Sequence, residues 1–355
     1  MKAWVLHDIN NIRYEEINVP TISENEVLVQ VKSAGICGSD IPRIYKSGAH
    51  RMPLIPGHEF SGQVVDVYNQ EDKPWIGKRV GVFPLIPCRK CKACLKKNYE
   101  MCEHYSYLGS RRDGGFAEYV SVPSWNLIGL PDEVSYDGAA MLEPMAVAVH
   151  AMRRLSIHKE SSVVVCGLGT IGLLLVMFLL EKGIKNVYAI GSKEVQRTTA
   201  MLFGLPKENY CDSRMDNVNE FIAGKTEHKG ADIFFECVGK NETITESVDL
   251  TASGGQICFV GNPYADLTMD KNVYWKILRN QLTITGTWNS SYLGQQDEEA
   301  VEDDWNYVLK RLREHRVSPE KLITHQFEPA KLNYGFDIMH NKSEDYIKIV
   351  TKKYL

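Results

Sequence analysis

Four cysteines, Cys88, Cys91, Cys94 and Cys102, fall within fifteen residues at spacings x2, x2 and x7. Four thiolates close a tetrahedral zinc site with no position left for chemistry, so the cluster reads as a structural staple. Basic neighbours Arg89, Lys90 and Lys92 offset the thiolate charge. Cysteines alone do not specify the metal; an iron–sulfur cluster and a redox disulfide stay open as lesser alternatives.

A second set is dispersed: Cys37 within Cys37-Gly38-Ser39-Asp40, His58 and Glu59 after Gly57, and Glu143 between Leu142 and Pro144. Singly, each has a plainer account as a core cysteine, a satisfied loop histidine or a surface carboxylate. Together they supply sulfur, nitrogen and carboxylate oxygen, a three-ligand set that leaves zinc one position for a substrate. Asp40 is placed to orient the second ring nitrogen of His58, as metal-bound histidines require.

A third set binds rather than reacts. Gly167-Leu168-Gly169-Thr170-Ile171-Gly172 is G-x-G-x-x-G between a β-rich run and an apolar helix. Gly167 permits the tight turn, Gly169 lets backbone approach a pyrophosphate, and Gly172 lets helix pack on strand. Thr170 and Ile171 open the helix whose N-terminus favours the phosphates. The second strand ends not in Asp or Glu but in Gly191, followed by Ser192, Lys193 and, further on, Arg197. Without a carboxylate there, a 2′-phosphate meets no repulsion, so NADP is favoured over NAD, with Glu194 the competing ribose contact.

These groups need a frame. A chain of 355 residues suggests two domains. Residues 1–155 read as short strands and turns, with strands at 27–32 and 62–67. From 156 strand and helix alternate: strands 162–166, 187–190, 232–236 and 257–260, helices 171–182, 194–203 and about 243–252. That alternation predicts an α/β domain with a parallel sheet covered on both faces. A helix at 299–313 and a strand at 346–351 follow. Residues 163–180 are almost wholly apolar, yet three glycines make a buried strand, turn and helix a better reading than a membrane span. Apolar residues are 44%, charged residues 24% and the net charge −4, which excludes disorder and gives no global attraction to nucleic acid or anionic membrane. Nine cysteines, an odd and clustered count, and the absence of a signal-peptide core suggest a reducing compartment, the cytoplasm.

In their order along the chain, these motifs resemble those of zinc-dependent medium-chain dehydrogenases, over nearly its whole length. Within that family the chain is similar to the polyol branch. Residues 42–50 (PRIYKSGAH) and 109–119 (GSRRDGGFAEY) are similar to polyol-phosphate dehydrogenases of the galactitol 1-phosphate type. The resemblance implies a GroES-like catalytic domain over 1–155 and 288–355 with a Rossmann domain inserted at 156–287. It implies catalytic zinc on Cys37, His58 and Glu143, Glu59 as alternate ligand or neighbour, and Val238 and Gly261 near the nicotinamide. It also implies a homodimer or homotetramer, and hydride transfer between a zinc-held hydroxyl carbon and NAD(P). The chain departs from the family at Pro42, where alcohol and sorbitol dehydrogenases often carry a relay histidine. Proton exit then falls to Ser39, water, Glu143 or the cofactor ribose.

The substrate is read from charge. Arg43, Lys46, His50 and Arg51 follow the Cys37 motif, Arg111-Arg112 lie in a glycine-flanked loop, and Trp288 is expected to shape the pocket. Guanidinium forks suit a phosphate, so a polyol phosphate is expected and an unphosphorylated polyol is the alternative. A nucleic-acid-binding zinc protein lacks its basic aromatic surface here, and a cofactor binder without catalysis leaves the dispersed ligand set unexplained.

Overall fold

The computed structural model describes residues 1–263, 265–294 and 302–351. They form two units, Met1–Glu143 with Ser290–Leu355, and Pro144–Asn289. Sequence reading places the crossings near 155 and 287. The two units divide within helix Leu142–Arg153, with Glu143 in one and the rest in the other.

The first unit is built on strand Glu26–Ile36, longer than the 27–32 expected. Val27, Val29 and Val31 are fully buried at every second position, as a strand with one face on the core requires. It pairs antiparallel with Glu59–Val67 and Tyr119–Pro123, and its far end with Lys348–Thr351. The full sheet runs Ile323–Phe327, Lys348–Thr351, Glu26–Ile36, Glu59–Val67, Arg79–Val82, Leu127–Gly129, with Tyr119–Pro123 beside the long strand. Phe60, Phe116, Leu332, Phe336 and Ile349 complete the core.

Register decides what meets at the end of the long strand. Gly35 lies opposite Glu59 on one side and Val350 on the other. A Cβ on Gly35 would sit 2.6 Å from Glu59 Oε2 and 2.8 Å from Lys348 Cε. The missing side chain is what lets a carboxylate and an ammonium converge there.

The second unit is a six-stranded parallel sheet in the order Tyr210–Asp212, Asn186–Gly191, Ser162–Cys166, Ala231–Glu236, Thr251–Phe259, Thr283–Gly286. The order reverses between Ser162–Cys166 and Ala231–Glu236, the doubly wound arrangement. Val163, Val164 and Val165 are fully buried, as are Leu173 to Val176 of helix Thr170–Glu181. The long apolar run is thus a strand, a turn and a buried helix, and no helix among the described residues is long and apolar enough to cross a membrane. Helix Asp304–Arg313 starts later than the expected 299, where Asp303 caps it by accepting the Asn306 N–H; residues 299–301 lie outside the described residues. The last strand begins at Lys348, not 346.

Arg112 has a structural partner. It donates to Glu26, whose carboxylate also accepts from Ser23 and Ser121 at the start of the long strand. Burial opposes the Glu26 charge, but these hydrogen bonds and the Arg112 charge outweigh it and hold its carboxyl at about 2. Because the pKa is depressed in the fold, this stabilisation is present in full above about 4.5 and lost as pH falls through about 2. Glu26→Gln is therefore expected to lower stability in urea unfolding by on the order of 1 kcal/mol at neutral pH, allowing for solvent screening at Arg112. The difference should close on acidification through that window; a difference that ignores pH would contradict the assignment.

Candidate active site and metal centres

Cys37 follows strand Glu26–Ile36 directly and His58 immediately precedes strand Glu59–Val67. The antiparallel pairing of the two strands brings these ends together. Cys37 Sγ, a His58 ring nitrogen and a Glu59 carboxylate oxygen lie within 4.8 Å of one another. Glu143, second residue of helix Leu142–Arg153, stands outside that tight group; its Oε1 accepts from the Tyr107 hydroxyl at 3.2 Å. The Tyr107 ring also meets the His58 ring edge-on at 5.7 Å. Burial is the main cause that pushes Glu143 up to about 7; His58 and Lys348 oppose the rise and Glu59 adds to it.

Asp40 is completely buried and serves three groups. Its Oδ2 accepts the Cys37 N–H at 3.0 Å, its Oδ1 accepts from Arg43 Nη1 at 2.5 Å, and Oδ1 lies 3.6 Å from His58 Nδ1. Burial opposes its charge, but His58, Arg43 and the Cys37 N–H hold its carboxyl below the ordinary range. Burial likewise opposes a charged His58, and the charges of Asp40 and Cys37 override it, raising that imidazole well above its usual value. Arg43, expected as a phosphate contact, is thus engaged by Asp40, a use of its charge that sequence does not display. Ser39 is half-buried one residue before Asp40.

Glu59 is held from the other side. Lys348 Nζ donates to Glu59 Oε2 and to the Ile36 carbonyl at 2.9 Å, and both side chains are buried. Neither Lys348 nor Tyr107 was singled out by sequence reading, since nothing local marks them; only the sheet register brings them in.

This donor set fits a divalent metal. With His58 neutral, as metal ligation requires, Cys37 as thiolate, Asp40, Glu59 and Glu143 can carry four negative charges against the fixed cations Arg43 and Lys348. An enclosed deficit of two charges is costly. His58 Nδ1 is buried and faces Asp40 Oδ1 at 3.6 Å, the carboxylate-facing placement by which a metal-bound imidazole is oriented. A dication accepting sulfur and imidazole donors closes the deficit, and the chemistry of the set is that of zinc.

The second group fits more simply. The four sulfurs of Cys88, Cys91, Cys94 and Cys102 lie within 4.8 Å of one another, with Cys88–Cys94 at 3.9 Å and Cys91–Cys102 at 4.0 Å. A zinc–sulfur bond of about 2.3 Å implies a tetrahedron edge of about 3.8 Å. Disulfides need about 2.05 Å, and all nine cysteines are unpaired. Backbone N–H groups of Cys94 and Glu103 lower the Cys91 thiol to about 6, preparing a thiolate. Arg89 lies over the Trp125 ring at 4.4 Å, so it packs the lobe down as well as offsetting its charge. Lys90 and Lys92 are exposed.

In the second unit, Gly167 has φ +93°, and a Cβ on it would meet Val238 Cγ2 at 2.5 Å. A Cβ on Gly172 would lie 2.0 Å from the Gly167 carbonyl oxygen, whereas Gly169, capping helix Thr170–Glu181, has open space around it. Close packing at two glycines and an open approach at the third make the cradle a pyrophosphate needs. Past Gly191, Ser192 and Lys193 donate backbone N–H groups to Gln196 Oε1, and Arg197 reaches Glu194 at 3.4 Å. Beside Gly191 in register stands Asp212, paired with Arg214, which lowers it to about 2. The three-residue strand carrying Asp212 is too short for periodicity to show. Val238 and Gly261 follow strands Ala231–Glu236 and Thr251–Phe259.

The basic loops separate into two groups. His50 lies in the field of Arg111 and Arg43. Arg111 stacks on Tyr105 at 4.7 Å, Tyr105 meets Tyr107 at 6.1 Å, and the buried Arg111 Nε has no hydrogen-bond partner among the described residues. Arg51 pairs with Asp113 at 2.8 Å and donates its Nε to the Arg111 carbonyl at 3.2 Å, so it braces that loop, whereas Arg112 is taken by Glu26. Lys46 and Trp288 are exposed, Trp288 in the second unit.

Residues 23–132 match the family described as alcohol dehydrogenase GroES-like domain, and 170–309 that described as zinc-binding dehydrogenase. A galactitol 1-phosphate 5-dehydrogenase of Escherichia coli (strain K12) is 35% identical over 330 residues, 92% of each chain. A sorbitol dehydrogenase of Halalkalibacterium halodurans is 29% identical, covering 99% of this chain and 98% of its own. The crystal structure of galactitol-1-phosphate dehydrogenase from Escherichia coli superposes with a TM-score of 0.87 at 31% identity, covering 99% of both chains.

The Lys348–Glu59 pair has a stability signature. Lys348→Met strands a buried carboxylate and is expected to destabilise the metal-free protein by about 3–5 kcal/mol. Adding Glu59→Gln should recover most of that loss in denaturant unfolding. A double variant no more stable than the single one would show that the pair is not what Lys348 supplies.

Proposed function

The chain belongs to the zinc-binding dehydrogenases with an alcohol dehydrogenase GroES-like domain, and we propose that it oxidises a secondary hydroxyl of a polyol phosphate. The substrate is of the galactitol 1-phosphate kind and the product a keto-sugar phosphate, with NADP or NAD as acceptor. One observation carries the choice of a phosphate. The Arg111 cation connects to His58 through Tyr105 and Tyr107, and burial together with the Arg111 and Arg43 charges holds the nearby His50 imidazole toward its neutral, hydrogen-bonding form. An arginine with a buried, unpartnered Nε beside such a site suits a phosphate oxygen.

Zinc on Cys37, His58 and Glu143 would supply Lewis acidity that lowers the substrate hydroxyl pKa, and the nicotinamide would take the hydride. The chain's own groups set the stage. Asp40 holds the Cys37 backbone and faces His58, Arg43 neutralises Asp40, and Tyr107 fixes one Glu143 oxygen. Glu59 lies with Cys37 and His58 and is also held by Lys348, so it stands as alternate ligand or neighbour to the metal. With no relay imidazole at Pro42, the hydroxyl proton is left to Ser39, water, Glu143 or the cofactor ribose. Cys88, Cys91, Cys94 and Cys102 hold a second, structural zinc.

Gly167, Gly169, Thr170, Ile171 and Gly172 seat the pyrophosphate. Ser192, Lys193 and Arg197 take a 2′-phosphate, so NADP is favoured. The catalytic domain corresponds to the first unit and the dinucleotide domain to the second. Tyr274, Trp275 and Leu278 are exposed on helix Lys271–Arg279, and edge strand Thr283–Gly286 offers unpaired backbone; both support a homo-oligomer. Nine unpaired cysteines suit the cytoplasm.

Arg111→Ala is expected to raise KM for galactitol 1-phosphate about tenfold or more, and that for galactitol less than about twofold. Arg43→Ala should instead lower kcat on both, because it unpairs Asp40. Equal KM effects of Arg111→Ala on both substrates would remove the phosphate reading. Run with both cofactors, the same assay tests the 2′-phosphate assignment, which a strong NAD preference would remove.

A further inference from the structure

Glu236 ends strand Ala231–Glu236 and is fully buried. A buried carboxylate is costly unless its oxygens are satisfied, and here the donors are not ordinary core groups. Oε1 accepts the N–H of Val238 at 2.8 Å, the N–H of Gly239 at 2.9 Å and the Thr243 hydroxyl at 2.8 Å, while Oε2 takes Gly239 N–H at 3.1 Å. The main-chain carbonyl of the same residue accepts the N–H groups of Val260 and Gly261 at 2.8 and 2.9 Å. One residue therefore fixes two turns, those leaving strands Ala231–Glu236 and Thr251–Phe259.

Those turns have no slack. A Cβ on Gly261 would lie 2.3 Å from the Gly239 nitrogen, and one on Gly239 2.0 Å from the Asn262 carbonyl oxygen. Val238 in turn abuts Gly167, the first glycine of the fingerprint. The three turns leave the carboxyl ends of adjacent strands that flank the reversal of strand order, the crevice where open α/β sheets bind ligands. The ribose of the adenylate half is read at the end of the second strand, here Gly191, so the other half of the dinucleotide falls on the side of these two turns.

We propose that Glu236 is a positioning residue for the nicotinamide half of the cofactor, clamping the Val238–Gly239 and Val260–Gly261 backbone into the surface that receives it. The proposal rests on the dinucleotide reading of the second unit. Its carboxylate accepts only; in Glu236→Gln the amide oxygen can keep the Oε1 donors only with its NH2 turned against the Gly239 N–H, and the other flip leaves Val238 and Thr243 unpaired. Thr243 supports the clamp from helix Asn241–Leu250.

The test compares zinc-loaded wild type with Glu236→Gln, and with Thr243→Val as the milder variant in case Glu236→Gln does not fold. Binding is measured directly by calorimetry for NADPH, NADH, ADP-ribose and 2′-phospho-ADP-ribose, the last two lacking nicotinamide. The expected result is a Kd for the reduced cofactors raised about tenfold or more in Glu236→Gln. The ribose probes should shift less than about threefold, and Thr243→Val should move the same way by less. Equal weakening of all four probes, or no change in any, overturns the proposal. Failure of wild type to bind any probe would overturn the dinucleotide reading itself, a separate outcome.

Discussion

Burying charge around a single imidazole is the constraint on which the first unit depends. Asp40, Glu59 and Glu143 are all withdrawn from water beside Cys37 and His58. Each such group destabilises the fold unless a cation, a hydrogen-bond donor or a metal answers it. Arg43 answers Asp40 from the next turn of chain, but Glu59 is answered by Lys348, which lies 289 residues away in sequence. The chain must therefore return to the sheet after the second unit, and strand Lys348–Thr351 is the piece that returns. Gly35 belongs to the same solution, because any larger residue would occupy the space of the ion pair.

The second unit meets a different constraint with related means. There the backbone itself must come close to an anion and to its own neighbouring turns, so glycines carry the contacts that side chains carry in the first unit. Gly167, Gly172, Gly239 and Gly261 each place backbone where a Cβ would collide. Glu236 supplies acceptors for the N–H groups those turns leave over. In both units a buried carboxylate is tied to a place where chain segments converge.

How much of this sequence can show depends on how local the signal is. The four cysteines of the lobe and the glycine fingerprint lie within short stretches, and their geometry follows their spacing. Cys37, His58, Glu59 and Glu143 are distant in sequence; they read as a set only by their donor chemistry taken together and by family resemblance. Charge sign was legible but its partner was not. Arg43 and Arg112 look alike in sequence, yet one serves Asp40 and the other Glu26. Lys348, Tyr107, Asp212 and Glu236 escaped because their partners are set by sheet register or by single-residue turns, which periodicity does not report. The long strand exceeded its expected bounds because Ser33, Ala34 and Gly35 break alternation just where the chain turns toward the site.

The central claim is that the charge deficit around Cys37 and His58 is closed by a divalent metal, separate from the metal of the four-cysteine lobe. Metal content per chain, measured by mass spectrometry after zinc loading and desalting, tests it most directly. About two equivalents of zinc are expected in wild type and about one in Cys37→Ser, the lobe keeping its own. Two equivalents retained in Cys37→Ser would contradict it.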